Sequence, residues 1–426
     1  MSNKMLLTIN NLGPINNAEL DIARINVIVG KNSTGKSTSS KFLYCLLTAS
    51  SMDGIYLANR DIKQRYMNFI SYWSNKLYEN SFSNELTDVF SLLFNDSISG
   101  EIFDNVYNDL YGISEDISPV NVKNNYLKDL EDINELAKIN KKPKIRHVST
   151  FNTLFNSEYN GFLGVNGDTC VKFQGNVDGT SFDQEIKITD KIWSVKNEYL
   201  TYFNFKNIIY IDSPSVLEFD NEINVNKQIH FQLLNKKLRK SVSDVYDDKA
   251  YKKLIDFKEK IDELIGGEFI YNPKSRKFSF KKENVIFPME NTASGLKQLG
   301  ILQILLENNE LMEDSFLIMD EPEINLHPEF QIKLAQILVL ASKELNITIY
   351  INTHSPFLAE AIEVYSKECG LYDETNFYLT EESNNIGKYD YNLVDDLDIM
   401  DVYKNLGNPF KILNAIRFKL ELNGGY

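Results

Sequence analysis

The chain has 426 residues, 43% of them apolar and 25% charged, and a formal net charge of −15. This balance is that of an ordinary globular protein and excludes a disordered chain; the length exceeds one usual core and predicts two domains, or one domain with a large insertion. The acidic surplus disfavours nucleic acid as a default partner without excluding a local basic groove.

Three scattered cysteines, Cys45, Cys170 and Cys369, make neither a disulfide framework nor a zinc cluster and fit a reducing cytoplasm. Residues 1–7 lack the apolar core of a signal peptide, and no stretch reaches the ~20 apolar residues of a membrane span. A cytosolic protein with no membrane association is therefore expected.

Residues 5–22 read as two strands joined by a turn at 11–14. The apolar, β-branched run 25–29 then reads as a buried strand, and it delivers Gly30-Lys31-Asn32-Ser33-Thr34-Gly35-Lys36-Ser37-Thr38. These nine residues match G-x-x-x-x-G-K-[ST], and the apolar-periodic run from 39 onward supplies the helix that the pattern requires. Strand, glycine loop and helix N-terminus aim backbone N–H groups at one point, where a phosphate can replace water as their acceptor. In that arrangement Lys36 reaches the β- and γ-phosphates of a nucleotide, and the Ser37 hydroxyl ligates Mg²⁺.

From about 55 to 137 the periodicity is helical and no chemistry is visible. Between about 150 and 200 the texture becomes short alternating runs with turn residues, an antiparallel signal. Residues 205–212 form a strongly apolar strand stopped by Ser213-Pro214, residues 222–265 return to helical periodicity, and 269–287 read as two short strands around Asn272-Pro273-Lys274. Two basic runs, 138–146 and 236–240, are the candidates for a positive groove, although such runs are more often solvated helix faces.

Chemistry returns at residues 291–298, where a helix opens with Thr292 or Ser294 as its N-cap. Residues 315–322 are an apolar strand ending in two carboxylates, at the end of a parallel strand where ligands bind. Asp320 is placed to hold Mg²⁺ directly or through water, and Glu321 to accept a proton from the water attacking the γ-phosphate. A further strand at 347–351 delivers Asn352-Thr353-His354-Ser355-Pro356, which places His354 beside the same phosphate.

Taken in order, these four motifs resemble the ABC-type ATPase head of SMC, RecF-like and OLD-like proteins. DEPEINLHP followed by THSP is most similar to the stand-alone AAA-family ATPases related to OLD proteins, many of which serve prokaryotic antiviral systems. The resemblance implies an α/β P-loop fold, ATP and Mg²⁺ as ligands, and ATP hydrolysis. It makes residues 30–38 the Walker A loop, 316–322 the Walker B strand, 293–298 the signature loop and 352–356 the switch-histidine segment. It further implies a head-to-head homodimer in which Ser294 and Gly295 contact the γ-phosphate held by the other subunit, with Lys297 adding positive charge there.

Departures are visible. Ser294-Gly295 is followed by Leu296-Lys297 rather than Gly-Gln, and His327 stands where transporters have the D-loop Asp. Gln174 is the one candidate for a Q-loop, and the tail after His354 is too short for a Toprim nuclease domain. Its acidic run Asp395-Asp396-Leu397-Asp398 reads as a solvated turn.

The expectation is thus a split ATPase head, 1–50 with 268–426, around an insertion at 51–267 whose β portion near 150–212 is associated with either part. A separately encoded effector is the expected partner, in antiviral defence. The rivals are a RecF- or SMC-like DNA repair or chromosome ATPase, the ATPase subunit of a transporter, and a nucleotide-binding scaffold with negligible turnover.

Overall fold

The computed structural model describes residues 4–77, 83–93, 102–159, 168–177, 180–189, 192–196, 205–218, 228–240, 248–394 and 416. β1 (Lys4–Leu12) and β2 (Ile15–Asp21) pair as an antiparallel hairpin. Met5, Leu7, Ile9 and Leu12 face the core from the first strand. β3 (Ile25–Val29) is buried at all five positions, as a strand in the middle of a covered sheet must be. It runs through the glycine loop into α1 (Lys36–Ala49).

The helices α2 (Met52–Lys76), α3 (Ser83–Leu93), α4 (Ile102–Ile113) and α5 (Val120–Asn140) follow, and α6 (Pro143–Tyr159) brings the chain back. Residues Thr48–Thr153 form a compact unit with its own apolar centre, in which Phe69, Trp73 and Tyr126 pack ring to ring and Tyr66 stacks on Phe103. The Trp73 indole N–H donates to Asp129, so the buried ring's polar edge is satisfied.

Beyond it come the antiparallel strands β4 (Thr169–Val177), β5 (Thr180–Thr189) and β6 (Ile192–Lys196), then β7 (Ile208–Ile211), α7 (Ile229–Leu238) and α8 (Asp248–Ile265). A three-stranded meander, β8 (Glu268–Asn272), β9 (Lys277–Lys282) and β10 (Val285–Pro288), leads to α9 (Ser294–Glu307). The last stretch is β11 (Phe316–Asp320), α10 (Pro328–Leu345), β12 (Thr348–Thr353), α11 (Pro356–Cys369), β13 (Thr375–Glu382) and β14 (Tyr389–Leu393).

Eleven of the described strands make one sheet in the order β6-β5-β4-β1-β2-β14-β13-β3-β12-β11-β7. Its core, β13-β3-β12-β11-β7, is parallel throughout, and register sets Val29 opposite Thr353, Asn352 opposite Asp320, and Met319 opposite Ile211. The C-terminal tips of β3, β12, β11 and β7 therefore end within about a residue of one another, which is where a parallel sheet presents ligand-binding groups.

The structure divides the region 51–267 differently from the sequence reading. Only Thr48–Thr153 separate as the second unit. β4 pairs with β1 and β7 pairs with β11, so these strands extend the head sheet. Three further expectations change. The meander has three strands, because Val285–Pro288, exposed at all four positions, pairs with β9. Ala293 occupies the N-cap of α9; the Thr292 hydroxyl donates to Pro288 O, and that of Ser294 to Asn325 O.

Gln174 lies on β4 and donates to Asp183, in a lobe formed by β1, β4 and β5 rather than at the strand tips. The basic runs are largely matched by neighbours: Lys237 and Lys240 both pair with buried Glu310, Arg239 lies over the rings of Tyr271 and Phe278, and Lys141 pairs with Asp104. The acidic run 395–398 lies outside the described residues.

Candidate nucleotide site at the strand tips

The glycine loop owes its shape to two close approaches. Gly35 has φ +95°, a left-handed conformation that strains any side chain, and a Cβ there would lie 2.7 Å from Ile15 Cγ1. At Gly30 a Cβ would meet Thr380 Oγ1 of β13 at 1.8 Å, so strand and loop come together only without a side chain. Lys31, Asn32 and Ser33 are exposed at the rim, Thr34 is buried with its hydroxyl donating to Lys31 O, and Ser37 and Thr38 are half-buried at the start of α1.

Lys36 is curled into the loop it serves. Its Nζ donates to Gly30 O at 3.0 Å and Lys31 O at 2.8 Å, and lies 3.7 Å from Glu321 Oε1. Burial pushes its ammonium pKa down, opposed by the charges of Glu321, Asp320 and Glu323. A cation so poorly hydrated gains strongly from an arriving anion.

Asp320, at the end of β11, is oriented from both sides. Asn352 Nδ2 donates to its Oδ1 at 2.8 Å and the Tyr210 hydroxyl to its Oδ2 at 3.2 Å. The same Asn352 amide reaches Ser40 Oγ at 2.9 Å, and Ser40 is 3.1 Å from the Tyr210 hydroxyl. One residue each from α1, β7, β11 and β12 thus closes a polar ring around the carboxylate. Glu321 follows at φ +50°, an uncommon conformation for a residue other than glycine, pinned by its N–H to Asn352 O at 2.9 Å. This turn swings the carboxylate out of the strand line toward Lys36.

His354 leaves β12 beside it, its Nδ1 3.8 Å from Glu321 Oε1 and 3.2 Å from Glu323 Oε1. Glu323, which sequence reasoning did not single out, is the buried anchor of this segment. Its Oε1 accepts from Thr353 Oγ1 at 2.6 Å, His354 N at 2.7 Å and Ser355 N at 3.2 Å. Ser355 caps α11, accepting from Leu358 N, and its hydroxyl donates to Gln331 Oε1 at 2.5 Å. The strand carrying the two carboxylates and the strand carrying the histidine are therefore clamped together.

A cleft of about 340 Å³ opens on this edge, and Ser294, Lys297 and Glu321 all line it. Lys297 is not free there: it pairs with Glu218 at 2.6 Å. Gly295 is buried behind, and His327 is the exposed N-cap of α10. Among the described residues no cluster of three or more His, Cys, Asp or Glu could hold a metal by itself. The Ser37 hydroxyl and the Asp320 carboxylate are hard oxygen donors that fit Mg²⁺, which takes few protein ligands and completes its shell with phosphate oxygens and water.

Strand, glycine loop and helix, followed on adjacent parallel strands by two carboxylates and a histidine, define an α/β P-loop ATPase head. The family described as the AAA ATPase domain matches residues 5–359, and the chain belongs to that family. No curated protein matches it. Among solved structures it is similar to the SMC head domain from Thermotoga maritima, at 12% identity and TM-score 0.41 over 93% of this chain and 100% of that one. It is also similar to an Smc head bound to the C-winged helix domain of ScpA, at 12% identity and TM-score 0.43 over 94% and 100%. An Smc head with an extended coiled coil, bound to the C-terminal domain of ScpA derived from Pyrococcus furiosus, aligns at 11% identity and TM-score 0.42 over 97% and 98%. Among the described residues no helix is long and apolar enough to cross a membrane.

Proposed function

We propose that the chain binds and hydrolyses ATP at the tips of β3, β11 and β12, and that nucleotide state controls a homodimer which signals to a separately encoded effector. The observation that carries this reading is the convergence of Lys36, Glu321 and His354, with Glu321 Oε1 3.7 Å from Lys36 Nζ and 3.8 Å from His354 Nδ1.

In this reading the loop N–H groups of residues 30–38 cradle the phosphates, and Lys36 exchanges its two carbonyl partners for phosphate oxygens. Ser37 and Asp320 would hold Mg²⁺, which would neutralise phosphate charge. Glu321 takes the proton of the attacking water, and His354 donates to the γ-phosphate oxygens. Asn352 and Tyr210 keep Asp320 aimed, and Glu323 keeps His354 in place. Ser294, Gly295 and Lys297 complete the site of a second copy, giving two composite sites in a symmetric dimer.

The role in antiviral defence rests on the DEPEINLHP and THSP resemblance. The acidic net charge and the pairing of Lys141, Lys237 and Lys240 with carboxylates weigh against an extended DNA-binding groove. Calorimetry with Mg-ATP tests the binding step: Lys36→Ala abolishes the heat of binding and the ATP-dependent dimer seen by sedimentation. Unchanged ATP affinity in that variant refutes the site.

A further inference from the structure

A second set of charged groups meets at the same sheet edge and has no part in the reading above. Asp212 follows directly on β7, the strand beyond β11, and lines the cleft that Glu321, Ser294 and Lys297 also line. Behind it lies His230, near the start of α7, with Nε2 3.0 Å from Asp212 Oδ2 and Nδ1 2.6 Å from Glu158 Oε2. Glu158, in the last turn of α6, has a fully buried side chain; its Oε1 accepts from His230 N at 3.2 Å.

The neighbouring Ser157 hydroxyl accepts from Ile229 N at 2.9 Å and Gln228 Nε2 donates to Glu158 O at 3.1 Å, so the N-terminus of α7 is docked on α6 by four bonds. That terminus also favours a negative group beside it. The His230 ring is fixed by packing on Tyr210 at 4.9 Å and Tyr44 at 6.3 Å between centroids.

A neutral imidazole donates from one nitrogen only, whereas both nitrogens here face carboxylates. The arrangement calls for an imidazolium donating in both directions. Burial alone would lower its pKa, but the bonds and charges of Asp212 and Glu158 outweigh burial and raise it to about 9. Burial likewise pushes the Asp212 carboxyl up, and His230, with help from Lys41, holds it below its ordinary value. A buried charge array is costly and weak as a source of stability. Its one partly open member is Asp212, 30% exposed, at the cleft.

We propose that Asp212 is a water-positioning carboxylate of the nucleotide cleft and that His230, braced by Glu158, fixes its direction. This rests on the ATPase reading. Asp212 accepts a hydrogen bond from the water whose proton passes to Glu321, so the water is held by two carboxylates set on adjacent strands. His230 touches neither water nor nucleotide; it is a positioning residue, and its charge offsets the repulsion between Asp212 and phosphate.

The test uses Asp212→Asn, which keeps size and removes charge, together with His230→Gln, Glu158→Gln and the Asp212→Asn/His230→Gln double variant. Asp212→Asn lowers kcat by about 10–100-fold with KM for ATP within about threefold, as for a group acting only in the chemical step. His230→Gln lowers kcat similarly, and the double variant is no worse than Asp212→Asn alone, because the residues act as one unit. Nitrogen-15 NMR of the imidazoles shows both His230 nitrogens protonated at pH 7.5 and one released in Asp212→Asn.

A folded His230→Gln or Asp212→Asn with unchanged kcat overturns the proposal, and so does a neutral His230 in the wild type. Wild-type protein that binds no Mg-ATP overturns the ATPase reading and the water role with it. Wild-type protein that hydrolyses ATP while these variants do so equally well overturns this inference alone.

Discussion

Glu323→Ala removes one oxygen that organises the whole switch segment. Oε1 of Glu323 accepts three hydrogen bonds, from Thr353 Oγ1, His354 N and Ser355 N, at 2.6, 2.7 and 3.2 Å. Ser355 N keeps a second acceptor in Thr353 Oγ1 at 3.0 Å, so the donors left without Glu323 are the buried Thr353 hydroxyl and the His354 N–H. Losing a charge-assisted bond and leaving a part-buried N–H without an acceptor costs about 3–5 kcal/mol. Part of this is returned, because Glu323 Oε2 is itself buried without a partner. The net loss is about 2–4 kcal/mol.

Glu323→Gln keeps an acceptor oxygen in place and loses only about 1 kcal/mol. Because the same bonds seat His354 next to Glu321, kcat for ATP falls about 100-fold in Glu323→Ala at temperatures where the variant is folded, and recovers largely in Glu323→Gln. Urea unfolding and phosphate release measure the two effects separately. A folded Glu323→Ala protein with kcat within twofold of wild type refutes the clamp.

Two further outcomes follow from the same geometry. Ser294→Arg and Lys36→Ala proteins, each inactive alone, regain part of the ATPase activity when mixed, since a heterodimer carries one intact composite site; no recovery in mixtures shown by sedimentation to contain heterodimers places the complete site in one chain. The bonds to Asp212 and Glu158 raise the pKa of His230 in the fold to about 9 against about 6.5 in the unfolded chain, so the stability that its protonation contributes is full below about pH 6.5 and is lost as pH rises through 9. The groups facing it are Glu158, Asp212, Tyr44 and Tyr210. The stability gap between wild type and His230→Gln in urea therefore narrows between pH 6.5 and 9.5, and a constant gap contradicts the buried imidazolium.

The parts of the site legible in the sequence are those whose chemistry is local. Gly30 to Ser37 announce a phosphate loop because glycines, lysine and hydroxyl must follow one another, and Asp320-Glu321 and His354 announce themselves by ending apolar strands. What stayed hidden is built from residues far apart in the chain. Glu323 lies within the visible DEPE run, but its partners are some thirty residues on, and no spacing rule connects them. Tyr210, Asn352 and Ser40 meet at Asp320 only because β7, β11 and β12 are neighbours in the sheet.

His230 falls in the run 222–265, whose helical periodicity singles out no residue, and its partners Glu158 and Asp212 lie 72 and 18 residues away. The bounds of the insertion are hidden for the same reason: the helical texture of 48–153 continues into α6 and resumes in α7 and α8, whereas the strand pairings of β4 with β1 and β7 with β11 put those strands in the head sheet. The third strand of the meander was missed because Val285, Ile286 and Phe287 are all exposed, which removes the alternation that marks a half-buried strand.

The central claim is that Glu321, held by its left-handed turn against Asn352 O, is the base of an ATPase whose binding apparatus is separate from it. The direct measurement is Mg-ATP affinity and single-turnover phosphate release in Glu321→Gln beside wild type. Affinity within a few-fold of wild type and hydrolysis slower by about 100-fold or more are expected. Hydrolysis at the wild-type rate, or loss of binding equal to that of Lys36→Ala, contradicts the claim.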